Sequence, residues 1–304
     1  MALTCTIPGK TFLVGEYLAL HGGPALFVLS KPCFVVTAVK ADENQSTPGL
    51  GSIHPESPAG KFVLDHAQYF KNINLKFEDP YKVGGFGAST AQFLGAYAFW
   101  MHRESHQIGM EAQFDFKHLL SVYLKYAWNG EGAPPSGTDL IAQMKGNLTF
   151  FEKRKGLLSV TNWPFEDLDF YLIHTGNKVA THEHLKTLKE FDSSALEKAA
   201  YQVHESFAAV NSAELISGVK AYAQALKDLN FTCEPTLKLL EGLRALPGVK
   251  AAKGCGALGA DVMFVVTDKN QSEVIERHCQ EVKVNVIASN RTVSAGLHIS
   301  EKES

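Results

Sequence analysis

The stretch Gly84-Gly85-Phe86-Gly87-Ala88-Ser89-Thr90, which runs into the apolar segment 91–102, decides the fold of this chain. Its glycines predict a loop, and the following segment, apolar on every side, predicts a buried helix. Such a loop presents backbone N–H groups to an anion and adds the positive end of the helix dipole. It has neither the Walker A ending nor the Rossmann glycine spacing. The stretch therefore predicts an anion-binding loop, and close packing between helices is the alternative.

Two segments outside the loop carry the residue types that phosphate and hydroxyl chemistry needs. Lys10 follows Pro8-Gly9 between two apolar runs, where its ammonium group can reach a phosphate as a point charge. Asp139 ends the constrained segment Pro135-Ser136-Gly137-Thr138-Asp139, where a carboxylate can orient or deprotonate an attacking hydroxyl. The structural alternatives are a plain β-turn with a solvated lysine and an aspartate that caps a helix.

A further glycine-rich segment, Lys253-Gly254-Cys255-Gly256-Ala257-Leu258-Gly259-Ala260-Asp261, precedes an apolar run and predicts a tight turn into a buried strand. Hydrophobic patterns elsewhere predict the remaining elements. These are strands at 3–7 and 11–14 with a turn at 8–10, strands at 33–39, 148–151, 170–173, 261–266 and 293–299, helices at 116–128 and 271–281, three or four helices between 182 and 244, and an exposed loop at 42–60.

The composition excludes several classes of protein. Of 304 residues, 45% are hydrophobic and 20% are charged, which supports a buried core, suggests two domains and excludes general disorder. Lys and Arg number 29 against 32 Asp and Glu, which argues against a nucleic-acid-binding protein. We find no signal peptide and no apolar run of the roughly 18 residues that cross a membrane. Five scattered cysteines argue against disulfides or a thiolate zinc site and favour a reducing, cytoplasmic location.

The order and types of these motifs resemble the galactokinase–homoserine kinase–mevalonate kinase–phosphomevalonate kinase (GHMP) superfamily over nearly the whole chain. The phosphate loop of that family usually reads Gly-Leu-Gly-Ser-Ser, and Phe86 and Ala88 depart from it here. Losing the first serine removes one hydroxyl but leaves the backbone amides that form the anion cradle. Leu258 and Ala260 stand where family members often have glycine in the late turn.

The resemblance implies an α+β, two-domain GHMP kinase fold, with a ribosomal protein S5 domain 2-like domain at 1–164 and a ferredoxin-like domain at 165–304. It implies phosphoryl transfer from ATP, with Mg²⁺, to a small acidic acceptor, which depends mainly on positioning and charge neutralisation. The residues that it assigns to ATP and its phosphates are Gly85, Phe86, Gly87, Ala88, Ser89 and Thr90. It assigns catalysis to Lys10 and Asp139, Mg²⁺ binding to Ser89 and Glu131, and acceptor binding to Glu16, Tyr17, Ser136 and Lys178.

Within the superfamily, the motifs divide between two activities of the mevalonate pathway, which makes isoprenoid precursors. Gly15-Glu16-Tyr17, Lys82 and Gly259-Ala260-Asp261 resemble phosphomevalonate kinases, whereas residues 20–25 and 135–139 are similar to mevalonate kinases. We therefore expect phosphomevalonate as the acceptor, with mevalonate as the alternative. A homologue that binds ATP and a metabolite without turnover is a third hypothesis. The oligomeric state, a homodimer included, stays open.

Two histidine pairs outside these motifs invite a metal interpretation. His182 and His184 are two residues apart with no evident third ligand, which favours a helix start or polar contacts near the substrate. His102 and His106 have the i, i+4 spacing of one helix face but lack the His-Glu-x-x-His pattern. For this second pair the sequence predicts a solvated helix face.

Overall fold

The computed structural model describes residues 2–41, 49–108, 114–132, 134–176, 188 and 190–302. The α-helices within these residues are α1 (Pro58–Asp65), α2 (Ala88–Ile108), α3 (Phe116–Ala127), α4 (Thr138–Lys145), α5 (Ser194–Ala209), α6 (Ser212–Asp228), α7 (Glu234–Arg244) and α8 (Ser272–Glu281). The strands are β1 (Ala2–Val14), β2 (Pro24–Lys40), β3 (Ile73–Glu78), β4 (Leu148–Glu152), β5 (Leu157–Thr161), β6 (Leu168–His174), β7 (Val249–Cys255), β8 (Val262–Asp268), β9 (Asn285–Ser289) and β10 (His298–Lys302). The expected α+β class is confirmed. Among the described helices, none has both the length and the apolar character needed to cross a bilayer.

The strands form two sheets. The first has the order β10-β1-β2-β4-β5, with β3 also paired to β2, and the second has the order β7-β8-β6-β9. In the first sheet β1 pairs antiparallel with β10, so that Ala2 lies opposite Lys302. In the second sheet every pairing is antiparallel, and Leu168 of β6 lies opposite Asp268 of β8. Residues near both ends of the sequence therefore share one ladder.

The chain divides into two compact units, and each unit combines separate stretches of sequence. Unit 1 consists of Met1–Lys10, Pro32–Gly146 and Ser294–Ser304, and unit 2 consists of Thr11–Lys31 and Asn147–Val293. Both units take residues from β1 and β2, so neither is one continuous stretch. The predicted boundary at residue 164 falls inside unit 2, and the division into domains at that residue stays a prediction.

The core of unit 1 contains an aromatic cluster between α1 and α2. Phe62 of α1 packs against Phe93, Tyr97 and Trp100 of α2, with ring centroids 5.3, 6.1 and 5.7 Å apart. All four side chains are buried. Because aromatic pairs at these separations add specific attraction to the burial of apolar area, the cluster fixes α2 against α1.

The core of unit 2 contains a cluster formed by the second sheet together with α7 and α8. Tyr171 and Ile173 of β6, with Met263 and Val265 of β8, are buried in it. The helices contribute Leu240, Leu243, Ile275 and Cys279 to the same cluster. These elements match the strand at 170–173 and the helix at 271–281 that the hydrophobic patterns predict.

Two local expectations are wrong, and a third is correct only in part. Within the region expected to be a loop, 42–60, the described residues 49–57 lie outside the helices and strands, whereas 58–60 belong to α1, where Ser57 Oγ accepts a hydrogen bond from the Gly60 N–H at 3.0 Å. The turn expected at 8–10 is absent, and β1 continues through these residues because the Lys10 N–H donates to the Phe86 carbonyl at 3.0 Å. The strand expected at 293–299 is not formed as such. Strand β9 ends before this segment, at Ser289, and β10 begins only at His298, near its end.

Candidate active site in unit 1

The glycine loop 84–90 leads into a helix, as the sequence predicts. Gly85 and Gly87 have φ angles of +96° and +85°, in the left-handed region that favours glycine. A Cβ on Gly87 would lie 2.9 Å from Lys10 Cγ and 3.1 Å from Gln143 Nε2. Glycine at position 87 is therefore required both by the backbone angle and by the close approach of two side chains.

The other loop residues have different environments. Helix α2 begins at Ala88, so Ser89 and Thr90 belong to its first turn, at the positive end of the helix dipole. Ser89 is exposed, which leaves its hydroxyl accessible to a ligand. Phe86 is buried, and its ring stacks on Tyr81 with centroids 4.2 Å apart. This stacking gives a structural role to the bulky residue that replaces the leucine usual in the GHMP loop.

A buried glutamine holds the loop to two other segments. The Gln143 side-chain amide of α4 donates to the carbonyls of Pro8 at 2.9 Å and Gly87 at 3.2 Å. Its Oε1 lies 2.6 Å from the Thr90 hydroxyl, which is also 3.0 Å from the Gly87 carbonyl. One side chain therefore joins β1, the glycine loop and α4. The Thr90 hydroxyl has structural partners here, and its role as a phosphate ligand stays a prediction.

Lys10 and Asp139, far apart in the sequence, lie together beside the loop. Lys10 Nζ is 4.0 Å from Asp139 Oδ2, and the two side chains are 15% and 26% exposed. The backbone of Lys10 is fixed by its bond to the Phe86 carbonyl. A cation and a carboxylate are therefore both partly shielded from water and still accessible to a ligand.

The start of α4 positions Asp139. Gly137, with a φ of +68°, is the N-cap of this helix, so the alternative interpretation of Asp139 as the cap is wrong. Asp139 lies in the first turn, where the helix dipole stabilises a negative charge. Its Oδ1 accepts the Leu140 N–H at 3.0 Å. Ser136 lies at the same helix start, with its hydroxyl 3.0 Å from that of Thr138.

Tyr123 of α3 contributes a neutral hydroxyl near this carboxylate. Burial, with a further contribution from the charge of Asp139, raises the pKa of Tyr123 above its ordinary value. The phenol therefore stays protonated throughout the physiological range and adds no second negative charge to the site.

Two further residues expected to bind ligands are Glu131 and Lys178. The Glu131 side chain is exposed, its backbone carbonyl accepts a hydrogen bond from the Trp128 indole N–H, and its backbone N–H donates to Asn129 Oδ1. Its role as a Mg²⁺ ligand stays a prediction. Lys178 lies outside the described residues.

Glu16 and Tyr17, expected to bind the acceptor, are buried in unit 2. The Glu16 carboxylate forms an ion pair with Lys253, which is itself fully buried. The Tyr17 ring stacks on Phe231 with centroids 4.1 Å apart, and its hydroxyl accepts the Leu258 N–H at 2.9 Å. Both side chains have structural partners, and their acceptor-binding role stays a prediction.

Sequence reasoning missed Gln143. A signal was present, because Gln143 follows Asp139 by four residues and therefore shares its helix face. The glutamine carries no motif of its own, however, and its partners Pro8 and Gly87 are distant in the sequence. The i, i+4 rule applied from a candidate catalytic residue would have found it.

Gln143→Leu is expected to lower the free energy of unfolding by about 1–3 kcal/mol and to raise the KM for ATP. Leucine has a similar volume but leaves the Pro8 carbonyl without the amide donor, and an unsatisfied buried group costs about that much. Urea unfolding and steady-state kinetics measure the two effects. Gln224→Leu, at an exposed position of α6, is the matched control and should change neither quantity. Unchanged values for Gln143→Leu would show that the loop holds its geometry without this residue.

Comparisons with known proteins show the fold. No protein-family model matches the chain, and no curated protein matches its sequence significantly. Phosphomevalonate kinase of Streptococcus pneumoniae, solved with phosphomevalonate and AMPPNP, matches with a TM-score of 0.73 and 16% identity over 95% of this chain and 99% of that chain. Galactokinase of Lactococcus lactis, solved with galactose, matches with a TM-score of 0.70 and 13% identity over 98% and 95%. Mevalonate kinase of Methanococcus jannaschii matches with a TM-score of 0.69 and 12% identity over 95% and 97%.

These three structures are GHMP kinases that act on different acceptors, and each matches nearly the whole chain. The resemblance inferred from the motifs is therefore confirmed at the level of the fold. The identities, all at or below 16%, do not select one acceptor among them.

Proposed function

We propose that this protein is an ATP-dependent kinase that phosphorylates a small acidic acceptor, with phosphomevalonate favoured over mevalonate. The observation that carries the proposal is the approach of Lys10 Nζ to Asp139 Oδ2, at 4.0 Å, beside the glycine loop 84–90. Phosphoryl transfer requires positioning and charge neutralisation, which a cation, a carboxylate and an anion cradle supply. The fold shared with three kinases supports the same class of reaction.

Each residue of the site has a distinct role in this proposal. The loop amides and the first turn of α2 bind the triphosphate, and Ser89 adds a hydroxyl. Asp139 orients the acceptor hydroxyl and takes its proton as the acceptor oxygen bonds to the γ-phosphorus of ATP and the bond from that phosphorus to the ADP oxygen breaks, which releases ADP. Lys10 neutralises negative charge on the transferring group. Gln143 fixes the position of the glycine loop relative to α4, the helix that carries Asp139.

The chemistry of the donor set fits a nucleotide bound with Mg²⁺. Gly85 and Gly87, both with positive φ, lie immediately before the first turn of α2, which is the kind of loop and helix start that binds a polyanion. Hydroxyl and carboxylate oxygens are the ligands that Mg²⁺ prefers. Ser89 would hold the ion, with Glu131 as the second ligand that the family resemblance implies. Bound there, Mg²⁺ supplies further neutralisation of the triphosphate charge.

The choice of acceptor rests on the motifs and on the charge of the acceptor. A phosphorylated acceptor brings about two extra negative charges near pH 7, so its site needs additional cations. Lys10, Lys82 and Lys178 are the candidates. Mevalonate stays the alternative, because arginine, the better clamp for phosphate, is absent from segments 8–17, 82–90 and 131–139.

A coupled assay of ADP release tests the proposed function. We would compare mevalonate, phosphomevalonate, diphosphomevalonate, homoserine and galactose as acceptors, and we expect the highest kcat/KM with phosphomevalonate. A kcat/KM about tenfold higher for mevalonate than for phosphomevalonate would identify mevalonate as the acceptor instead. Such a difference corresponds to about 1.4 kcal/mol of transition-state stabilisation. ADP release at background level with every acceptor would contradict the kinase and favour a binding protein.

A further inference from the structure

A cluster of three side chains lies near the C-terminal end of α2, away from the glycine loop. His102 and His106 are one helical turn apart, and their ring centroids are 4.1 Å apart. Glu301 comes from β10, and its Oε1 lies 3.0 Å from His102 Nε2. One possible ligand atom from each of the three residues lies within 4.8 Å of the other two. Two elements of unit 1 therefore bring three metal-ligand groups to one point.

We propose that the His102–His106–Glu301 cluster binds a divalent transition-metal ion, with Zn²⁺ as the best match to its ligands. Imidazole nitrogen and carboxylate oxygen both coordinate Zn²⁺, and two histidines with one glutamate form a recurrent zinc-binding set. The i, i+4 spacing places both imidazoles on one face of the helix. Mg²⁺ and Ca²⁺ prefer sites made entirely of oxygen, so the two histidines select against them.

A hydrogen bond to the backbone determines which nitrogen His106 offers. His106 Nδ1 lies 2.8 Å from the His102 carbonyl oxygen, which can only accept. Nδ1 therefore carries the proton, and in the neutral ring Nε2 keeps its lone pair. A carbonyl that orients a metal-binding imidazole in this way is a usual feature of zinc sites.

An ion at this position would join α2 to an edge strand. Strand β10 is the outer strand of the first sheet and pairs with β1. His102 lies about 20 Å along the helix axis from Ala88, at 1.5 Å per residue. We therefore assign the site a role in stability, separate from the chemistry proposed for Lys10 and Asp139.

Calorimetric titration of metal-free protein with Zn²⁺, in the presence of a weak competing chelator, tests the proposal. We expect one equivalent to bind to the wild type, and His106→Ala and Glu301→Gln each to weaken binding by about tenfold or more, because losing even a group that only hydrogen-bonds to a metal ligand usually costs that much. His21→Ala, which removes an exposed histidine of unit 2, is the matched control and should bind as the wild type does.

Two further measurements keep the result independent of kinase activity. Zn²⁺ should raise the Tm of the wild type through preferential binding to the folded state, and this rise should be absent in His106→Ala. Co²⁺ in place of Zn²⁺ should give the visible absorption of a coordinated cobalt ion in the wild type alone. No binding by the wild type, or equal binding by His106→Ala, would overturn the proposal. Binding that is lost in His184→Ala instead would overturn it as well.

Discussion

Asp139→Asn is expected to lower kcat by about 10²–10⁴-fold, the usual contribution of general-base catalysis, with a far smaller change in the KM for ATP. Asparagine keeps the shape of the side chain and can still accept the Leu140 N–H, so the start of α4 should persist. It loses the negative charge that lies 4.0 Å from Lys10 Nζ and the capacity to take a proton. Steady-state kinetics at saturating ATP separates these effects.

A matched aspartate outside the site provides the control. Asp115 caps α3 through a bond from the Lys117 N–H to its Oδ1 at 2.9 Å, so Asp115→Asn makes the same chemical change at another helix start. We expect Asp115→Asn to keep the wild-type kcat, and thermal unfolding to show that both variants are folded. A kcat for Asp139→Asn within about twofold of the wild type would remove Asp139 from the reaction.

Lys253→Met is expected to lower the free energy of unfolding by about 3–5 kcal/mol, the range observed when one partner of a buried ion pair is removed. Lys253 lies within β7 and is fully buried, and its partner Glu16 is 4% exposed. Methionine occupies a similar volume but leaves the Glu16 carboxylate without the ammonium group that neutralises it.

The residues around the Glu16–Lys253 pair fix the Glu16 backbone and leave its carboxylate as the charge that balances Lys253. The Tyr222 hydroxyl accepts the Gly15 N–H at 3.0 Å and donates to the Glu16 carbonyl at 2.8 Å, which holds the backbone of Glu16 in place. Cys255 Sγ lies 3.5 Å from Lys253 Nζ, and burial raises the pKa of this thiol to about 11. The thiol is therefore neutral at physiological pH, and Glu16 supplies the charge that balances Lys253.

An exposed ion pair between β7, the strand of Lys253, and the neighbouring β8 provides the control for Lys253→Met. Lys250 Nζ lies 2.8 Å from Asp268 Oδ2, with side chains 39% and 47% exposed, so Lys250→Met should cost no more than about 1 kcal/mol. Urea unfolding followed by circular dichroism measures both variants. The double variant Glu16→Gln/Lys253→Met should recover part of the loss, because neither partner then carries a charge. A loss below about 1 kcal/mol for Lys253→Met would contradict the importance of the pair.

The sequence predicted those elements whose signals are local. The helix expected at 116–128 is observed at Phe116–Ala127, and the strand expected at 148–151 at Leu148–Glu152. The turn expected at Pro8-Gly9 failed because the hydrogen-bond partner of Lys10 is Phe86, which lies far along the chain. A local preference for a turn does not decide the structure where a segment distant in the sequence provides the hydrogen-bond acceptor for the backbone of an extended strand.

The candidate site was predictable by residue type and motif, whereas the partners of its residues were not. Lys10 and Asp139 could be selected from their motifs, but their separation depends on how β1 and α4 pack within unit 1. Lys253 was expected in a glycine-rich turn and lies instead inside β7, paired with Glu16. Gln143 and Lys253 are important because each is buried in contact with polar groups that are distant in the sequence. No short sequence motif contains that property.

Transfer of a labelled γ-phosphoryl group from ATP to phosphomevalonate, followed by chromatography of the products, tests the central claim most directly. We predict that the wild type places the label on the acceptor and that Asp139→Asn does so about 10²–10⁴-fold more slowly. Label that stays in ATP would contradict the proposed kinase. Label that appears only as inorganic phosphate, at the same rate with and without the acceptor, would contradict it equally.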